Sequence, residues 1–190
     1  SSYFIDKLPS TETWRLYNFF RDEVVFLDIE VDGIGKSADI TVIGLFDGLE
    51  TKTMIKDVNL DYRALKQELA KYKLIITFNG SSFDIPFIKK RYDILPKTPH
   101  IDLMHCCARL GYRGGLKCIE KEFGIERNRI IEKFSGGDAL SLWRIYKATG
   151  DKYYLNLLVE YNGEDVINLK KIMNYCYDKL KEGLKNEISN

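Results

Sequence analysis

Val24-Val25-Phe26-Leu27-Asp28-Ile29-Glu30 is an apolar run that closes on two carboxylates spaced two apart. Side chains alternate faces along an extended strand, so Asp28 and Glu30 point the same way at the strand's exit. Two anions side by side at the rim of a core repel each other and lose hydration, and both effects disfavour the ionised forms. A divalent cation reverses the sign of that cost. Taken alone, Asp-x-Glu also fits an edge strand with acidic residues facing solvent, so the reading depends on partners elsewhere in the chain.

Upstream of this strand, Leu8-Pro9-Ser10 leads into a segment with Trp14, Leu16, Tyr17 and Phe20 near helical spacing, which predicts a short helix over about 10–20. Downstream, a glycine-bearing turn at Asp32-Gly33-Ile34-Gly35 precedes a strand from Ile40 to Phe46. Asp47-Gly48, a tight-hairpin dipeptide, then joins it to Thr51–Ile55. The first three strands therefore form a meander. Leu60 to Tyr72 reads as a helix with Tyr62, Leu65, Leu69 and Tyr72 on one side. Leu74 to Phe78 is a continuous apolar run of the kind expected of a strand buried on both faces. A further short strand at His100-Ile101-Asp102 runs into a helix from Met104 to Leu110. The last third is helical: a short helix within Gly114–Ile125 that Gly124 ends, a helix from Asp138 to about Ala148 that Gly150 ends, and a long one from Tyr153 to Leu180. Its buried stripe is Leu155, Leu158, Val159, Val166, Leu169, Ile172, Met173, Cys176 and Leu180. The expected architecture is a single α/β domain over 1–190, a mixed five-stranded sheet flanked by helices, with its motif-bearing core over about 24–180.

Composition narrows the function classes. With 45% hydrophobic and 30% charged residues the chain has the balance of a soluble globular domain. Its apolar runs fall short of the roughly 18 residues a membrane span needs, and a basic-then-apolar leader is missing, so a cytoplasmic location is expected. A net charge of +1 means that contact with nucleic acid would rely on local patches. Cys106, Cys107, Cys118 and Cys176 show no Cys-x-x-Cys spacing, which leaves reduced, half-buried thiols as the expectation. His100 and His105 are not spaced as a metal pair and read as structural or surface residues. Neither a phosphate-binding Gly-x-x-x-x-Gly-Lys-Ser/Thr nor His-Glu-x-x-His occurs.

Two further acidic segments answer the first. Phe78-Asn79-Gly80-Ser81-Ser82-Phe83-Asp84 follows the buried strand; Asn79-Gly80 is a turn signal and Ser81 or Ser82 is placed to cap the next helix, with Asp84 in its first turn. Asp84 there compensates the helix dipole or completes a site outside the strand ends. Asp102 is likewise open between helix N-cap and site residue. In the long helix Tyr161 and Asp165 share a face at i and i+4, and Gly163 between them suggests a close approach at that point.

In the order Asp-x-Glu, Asn-x-x-x-Phe-Asp, Tyr-x-x-x-Asp, these segments resemble the three exonuclease motifs of the DEDDy branch of the DnaQ-like exonucleases, built on the ribonuclease-H-like fold. Gly115-Leu116-Lys117, Phe123-Gly124-Ile125, Gly137-Asp138-Ala139-Leu140 and the run from Gly150-Asp151 to Asp165 are similar to the YprB-type subgroup, so the likeness spans about residues 24 to 180. What the resemblance implies is 3′→5′ removal of nucleotides from single-stranded or frayed DNA or RNA ends with two Mg2+ or Mn2+ ions. Asp28, Glu30, Asp84 and Asp165 would be the ligands and Tyr161 would position the attacking water. Asn79, Phe83 and Lys117 are candidate substrate contacts. An all-oxygen donor set suits magnesium or manganese rather than zinc. Val31 stands where many relatives carry threonine, and Gly163 where the subgroup carries a larger residue. Lys89-Lys90-Arg91 and Arg113, Lys117 and Lys121 are backbone-binding candidates or solvated faces. The alternative function is a catalytically inactive module of the same fold that binds nucleic acid or a protein partner.

Overall fold

The structure is a computed structural model that describes residues 7–33, 35, 37–94 and 98–188, with side chains described as far as Leu184. Ile34 of the expected turn lies outside the described residues. Five strands, β1 (Val24–Val31), β2 (Ile40–Phe46), β3 (Thr51–Ile55), β4 (Leu74–Thr77) and β5 (His100–Asp102), form one sheet in the order β3-β2-β1-β4-β5. The β1–β2 and β2–β3 pairs are antiparallel, whereas β4 and β5 run parallel to β1. Hairpin turns permit the antiparallel meander; the parallel half needs crossovers, supplied by α1 (Tyr62–Leu69) and α2 (Asp84–Tyr92). Three helices follow: α3 (Leu103–Arg109), α4 (Leu116–Glu122) and α5 (Gly136–Thr149). The chain closes on α6 (Lys152–Ile188).

The alternation in β1 sorts two cores. Val25, Leu27 and Ile29 face α1 and α2 with Leu65, Leu69 and Ile88, while Val24 and Phe26 face the other way onto α6 with Leu169, Ile172 and Met173. Each of these fully buried side chains contributes about 1.5–3 kcal/mol by leaving water. The even positions continue as Asp28 and Glu30, so the pleat that seats Phe26 under α6 carries both carboxylates onto the same helix face.

Several local expectations change. The short helix expected over about 10–20 is a 3-10 helix over Ser10–Leu16, followed by a second over Arg21–Glu23. Trp14 and Leu16 of the first and Tyr17 and Phe20 in the turn after it meet the core beneath α6. Neither Ser81 nor Ser82 caps α2; its N-cap is Phe83, without a side-chain hydrogen bond, because the turn before it is held from another strand. Three cysteines, Cys106, Cys107 and Cys176, are buried rather than half-buried, and Cys118 is exposed. Tyr62 is exposed, so the stripe of α1 is carried by Leu65 and Leu69. No helix among the described residues is long and apolar enough to cross a membrane.

Candidate metal centre

Asp28 and Glu30 leave β1 toward α6, and α6 returns Tyr161 and Asp165 from one face. Asp28, Glu30 and Asp165 each offer a carboxylate oxygen within 4.8 Å of the others, at a cleft of about 360 Å3 that Tyr161 and Lys117 also line. Asp28 and Glu30 are half-buried and Asp165 is buried. Burial first, and then the negative charges of Asp165, Asp84 and Glu30, push Asp28 well above the ordinary carboxylate range; burial and the charges of Asp165 and Asp84 do the same to Glu30. Hard oxygen donors gathered at mutual repulsion are what a divalent cation of the magnesium class requires.

Asp84 is buried beside this trio. Its Oδ1 accepts the Ile29 N–H, between the two β1 carboxylates, at 3.1 Å. Burial raises it to about 7, with the charges of Asp102 and Asp165 adding to the effect and the backbone hydrogen bonds opposing it. It stands outside the group of three whose ligand atoms lie within 4.8 Å of one another. The turn that delivers it is clamped by Asp102, whose carboxylate accepts from Asn79 N at 2.7 Å, Ser81 N at 3.0 Å and Met104 N at 3.1 Å. Asp102 is therefore the N-cap of α3 and also fixes the second acidic segment. Asn79 has φ of 63°, and an added Cβ on Gly80 would lie 2.0 Å from Thr77 Oγ1, so the Asn-Gly order is required here. His100 donates to or accepts from Thr77 Oγ1 at 2.8 Å, and burial lowers it to about 4, which keeps a neutral ring behind the turn.

A family model for the RNase_H superfamily matches residues 25–177, spanning all three acidic segments. The chain belongs to the RNase_H superfamily. Among solved structures, Brucella melitensis NrnC bound to pGG is similar with a TM-score of 0.64 at 17% identity, over 90% of this chain and 79% of that one. Escherichia coli RNase D, an exoribonuclease involved in structured RNA processing, matches with a TM-score of 0.55 at 16% identity, over 90% of this chain but 46% of its own. The family B DNA polymerase of Pyrobaculum calidifontis matches at 0.64 and 15% identity, over 80% of this chain and 24% of that one. This superfamily member thus spans about a quarter of the polymerase and under half of RNase D. A search of curated protein sequences returns no match.

The three acidic segments omit the charge that sits closest to Asp165. Arg127, in the loop after α4, gives Glu120 a two-pronged ion pair, Nε to Oε2 at 2.6 Å and Nη2 to Oε1 at 2.7 Å, and the same Nη2 reaches Asp165 Oδ1. The side chains are 4% (Arg127) and 2% (Glu120) exposed, and Asn168 Nδ2 donates to Glu120 from beneath at 2.9 Å. Burial works against the Arg127 charge, and the two carboxylates outweigh it. Burial brings Asp165 up to about 6, with Arg127 opposing. Asn128 ties the same loop to α6, its N–H to Glu164 Oε1 and its amide to Glu160 Oε1, both at 2.9 Å. A signal for this network is present in the sequence: Leu116, Ile119, Glu120 and Phe123 are spaced i, i+3, i+4, i+7, so Glu120 falls on an apolar stripe.

The remaining candidates divide. Lys117 lies at the cleft with its ammonium 5.4 Å from the Tyr161 ring centre. Asn79 and Phe83 sit on the β4–α2 turn outside the cleft lining, Phe83 packed on Phe87 with ring centres 4.8 Å apart. Arg91 of the basic run is tied to Asp39, and Lys121 lines an adjoining cavity of about 480 Å3 with Arg127 and Arg129. Gly163 has open space where a Cβ would go, so the close approach expected there is absent. A close approach does require glycine at Gly44, on β2, as it does at Gly80.

Proposed function

We propose that the chain is a metal-dependent 3′→5′ exonuclease of the DEDDy type, in the YprB-like subgroup, acting on single-stranded or frayed nucleic-acid ends. The observation that carries this reading is the convergence of Asp28 and Glu30 from the first strand with Asp165 from the last helix, beside Tyr161. Solved structures of the similar NrnC hold pGG and, separately, Mg2+, and the similar RNase D is described as an exoribonuclease, which supports the same class of substrate here.

Asp28, Glu30 and Asp165 would hold Mg2+ or Mn2+, with Asp84 as the fourth carboxylate. When bound, a pair of such ions activates a water and stabilises the attacking and leaving oxygens of an in-line phosphoryl displacement. The protein's own share follows from the side chains. Burial and the charges of Asp165, Glu30 and Asp28 raise Tyr161, so its hydroxyl stays protonated and orients a water or phosphate oxygen by hydrogen bonding rather than acting as a base. Lys117 supplies a positive charge at the cleft for the phosphodiester backbone. Phe83, partly exposed, would offer a ring for base stacking and Asn79 a polar contact at the same sheet end.

Digestion of matched DNA and RNA oligonucleotides, labelled at the 5′ end, tests this. With Mn2+ the expected product is a ladder shortening from the 3′ end that EDTA abolishes. Intact oligonucleotides of both kinds in Mg2+ and Mn2+ would overturn the assignment in favour of a non-catalytic module.

A further inference from the structure

Asn162 sits on α6 between the tyrosine and the aspartate of the third acidic segment and is fully buried. Its Nδ2 donates to Asp28 Oδ2 at 2.8 Å and faces the Asp28 carbonyl oxygen at 3.4 Å. The amide's other end, Oδ1, is buried without a hydrogen-bond partner. That oxygen lies over Gly44: a Cβ added there would be 2.0 Å from Oδ1 and 2.8 Å from Cγ of Asn162. Gly44 is the residue directly across from Asp28 in the antiparallel β1–β2 register. Helix α6 therefore reaches Asp28 through a notch that exists because the cross-strand neighbour has no side chain.

The orientation of the amide is fixed by chemistry. Turning it over would aim Oδ1 at a carboxylate and a carbonyl, so the donor end must face Asp28 and the acceptor end must rest on the Gly44 Cα–H. An unpartnered buried carbonyl is unfavourable, and a leucine at this position of the apolar stripe would avoid it. What the asparagine gains in return is a fixed donor on one oxygen of a single carboxylate, which restricts rotation of that carboxylate and leaves its other oxygen for a ligand.

We propose that Asn162 and Gly44 together are a positioning device for Asp28, setting the affinity of the carboxylate cluster for divalent cations. This rests on the metal-site reading above. Hydrogen-bonded partners behind metal ligands typically change metal affinity by about 10–100-fold when removed. Asn162→Ala removes the donor. Gly44→Ala touches no carboxylate, yet its methyl group displaces the Asn162 amide and has the same consequence.

The test is a Mn2+ titration of wild type, Asn162→Ala, Gly44→Ala and the double variant by calorimetry, with thermal unfolding of all four in EDTA. Both single variants are expected to bind Mn2+ about 10–100-fold more weakly, and the double variant no more weakly than Asn162→Ala. In EDTA, Gly44→Ala lowers the melting temperature in the wild-type background and much less in the Asn162→Ala background, where the 2.0 and 2.8 Å contacts are gone and only that with Val166 Cγ1 at 3.2 Å remains. A merely structural role for Asn162 would change the melting temperatures and leave the Mn2+ affinity of the folded variants at the wild-type value. That result, or strictly additive effects of the two substitutions on affinity, overturns the proposal. A wild-type protein that binds no Mn2+ overturns the metal-site reading as well, and is recognised by the first titration alone.

Discussion

Replacing Arg127 with methionine keeps most of the aliphatic volume and deletes the guanidinium that two buried carboxylates share. Glu120 then keeps Asn168 Nδ2 as its remaining side-chain donor, and Asp165 rejoins Asp28 and Glu30 with Lys117 as the remaining positive charge at the cleft. Removing one partner of a buried pair costs about 3–5 kcal/mol, because the surviving charge stays desolvated. At about 2–4 °C per kcal/mol for a domain of this size, metal-free melting should fall by about 6–20 °C. The loss measures the orphaned charges rather than the net worth of the pair, so two further arms follow. Arg127→Met combined with Glu120→Gln should regain more than half of the loss, since a neutral amide needs no counter-ion. The deficit of the single variant should also shrink between pH 8 and pH 5, as Asp165 takes up a proton. Differential scanning calorimetry in EDTA measures all three. A drop under about 2 °C for Arg127→Met, against the several degrees expected of a broken buried pair, would refute the reasoning, as would a double variant less stable than the single.

Other consequences follow from the same geometry. Asp28, Glu30, Asp84 and Asp165 all bind protons more tightly in the folded chain than an ordinary carboxylate, Asp165 with a value of about 6 and Asp84 of about 7. The folded state then holds protons that the unfolded state has released, so without metal these four carboxylates make the stability fall as pH rises from about 4 through 7 and beyond, outweighing the opposing contribution of His100, which ends near pH 6.5. Urea midpoints in EDTA that rise over that range would contradict it. Asp28→Asn should abolish nuclease activity while matching or exceeding the wild-type melting temperature in EDTA, because it relieves repulsion. Asp165→Asn should also abolish activity but gain less stability in EDTA than Asp28→Asn, because Arg127 loses an ionic partner; equal melting behaviour of the two variants would deny Arg127 that role. Tyr161→Phe should leave the Mn2+ affinity within about twofold and slow turnover by about 100-fold, the lower end of what a positioned acid–base group contributes; unchanged turnover removes the hydroxyl from the reaction.

By itself the sequence determined the strand alternation that puts Asp28 and Glu30 on one face, the meander with its Asp47-Gly48 hairpin, the buried strand at Leu74, the stripe of the last helix and the order of three acidic segments. These are local patterns with periods of 2 and 3.6 residues, and burial of one face enforces them wherever they occur. The tertiary structure decided which polar residues stand behind the carboxylates. Arg127 lies in the polar run Glu126-Arg127-Asn128-Arg129, which by its composition belongs to solvent, and only the docking of that loop on α6 buries it between Glu120 and Asp165. Gly44 reads as a weak point of a strand until the register sets it opposite Asp28 and the helix above fills its missing side chain with Asn162. Partnership of buried polar groups is a relation between segments far apart in the chain, and neither period encodes it; the nearest local trace is a Glu120 or an Asn162 standing where the apolar stripe of its helix calls for a hydrocarbon.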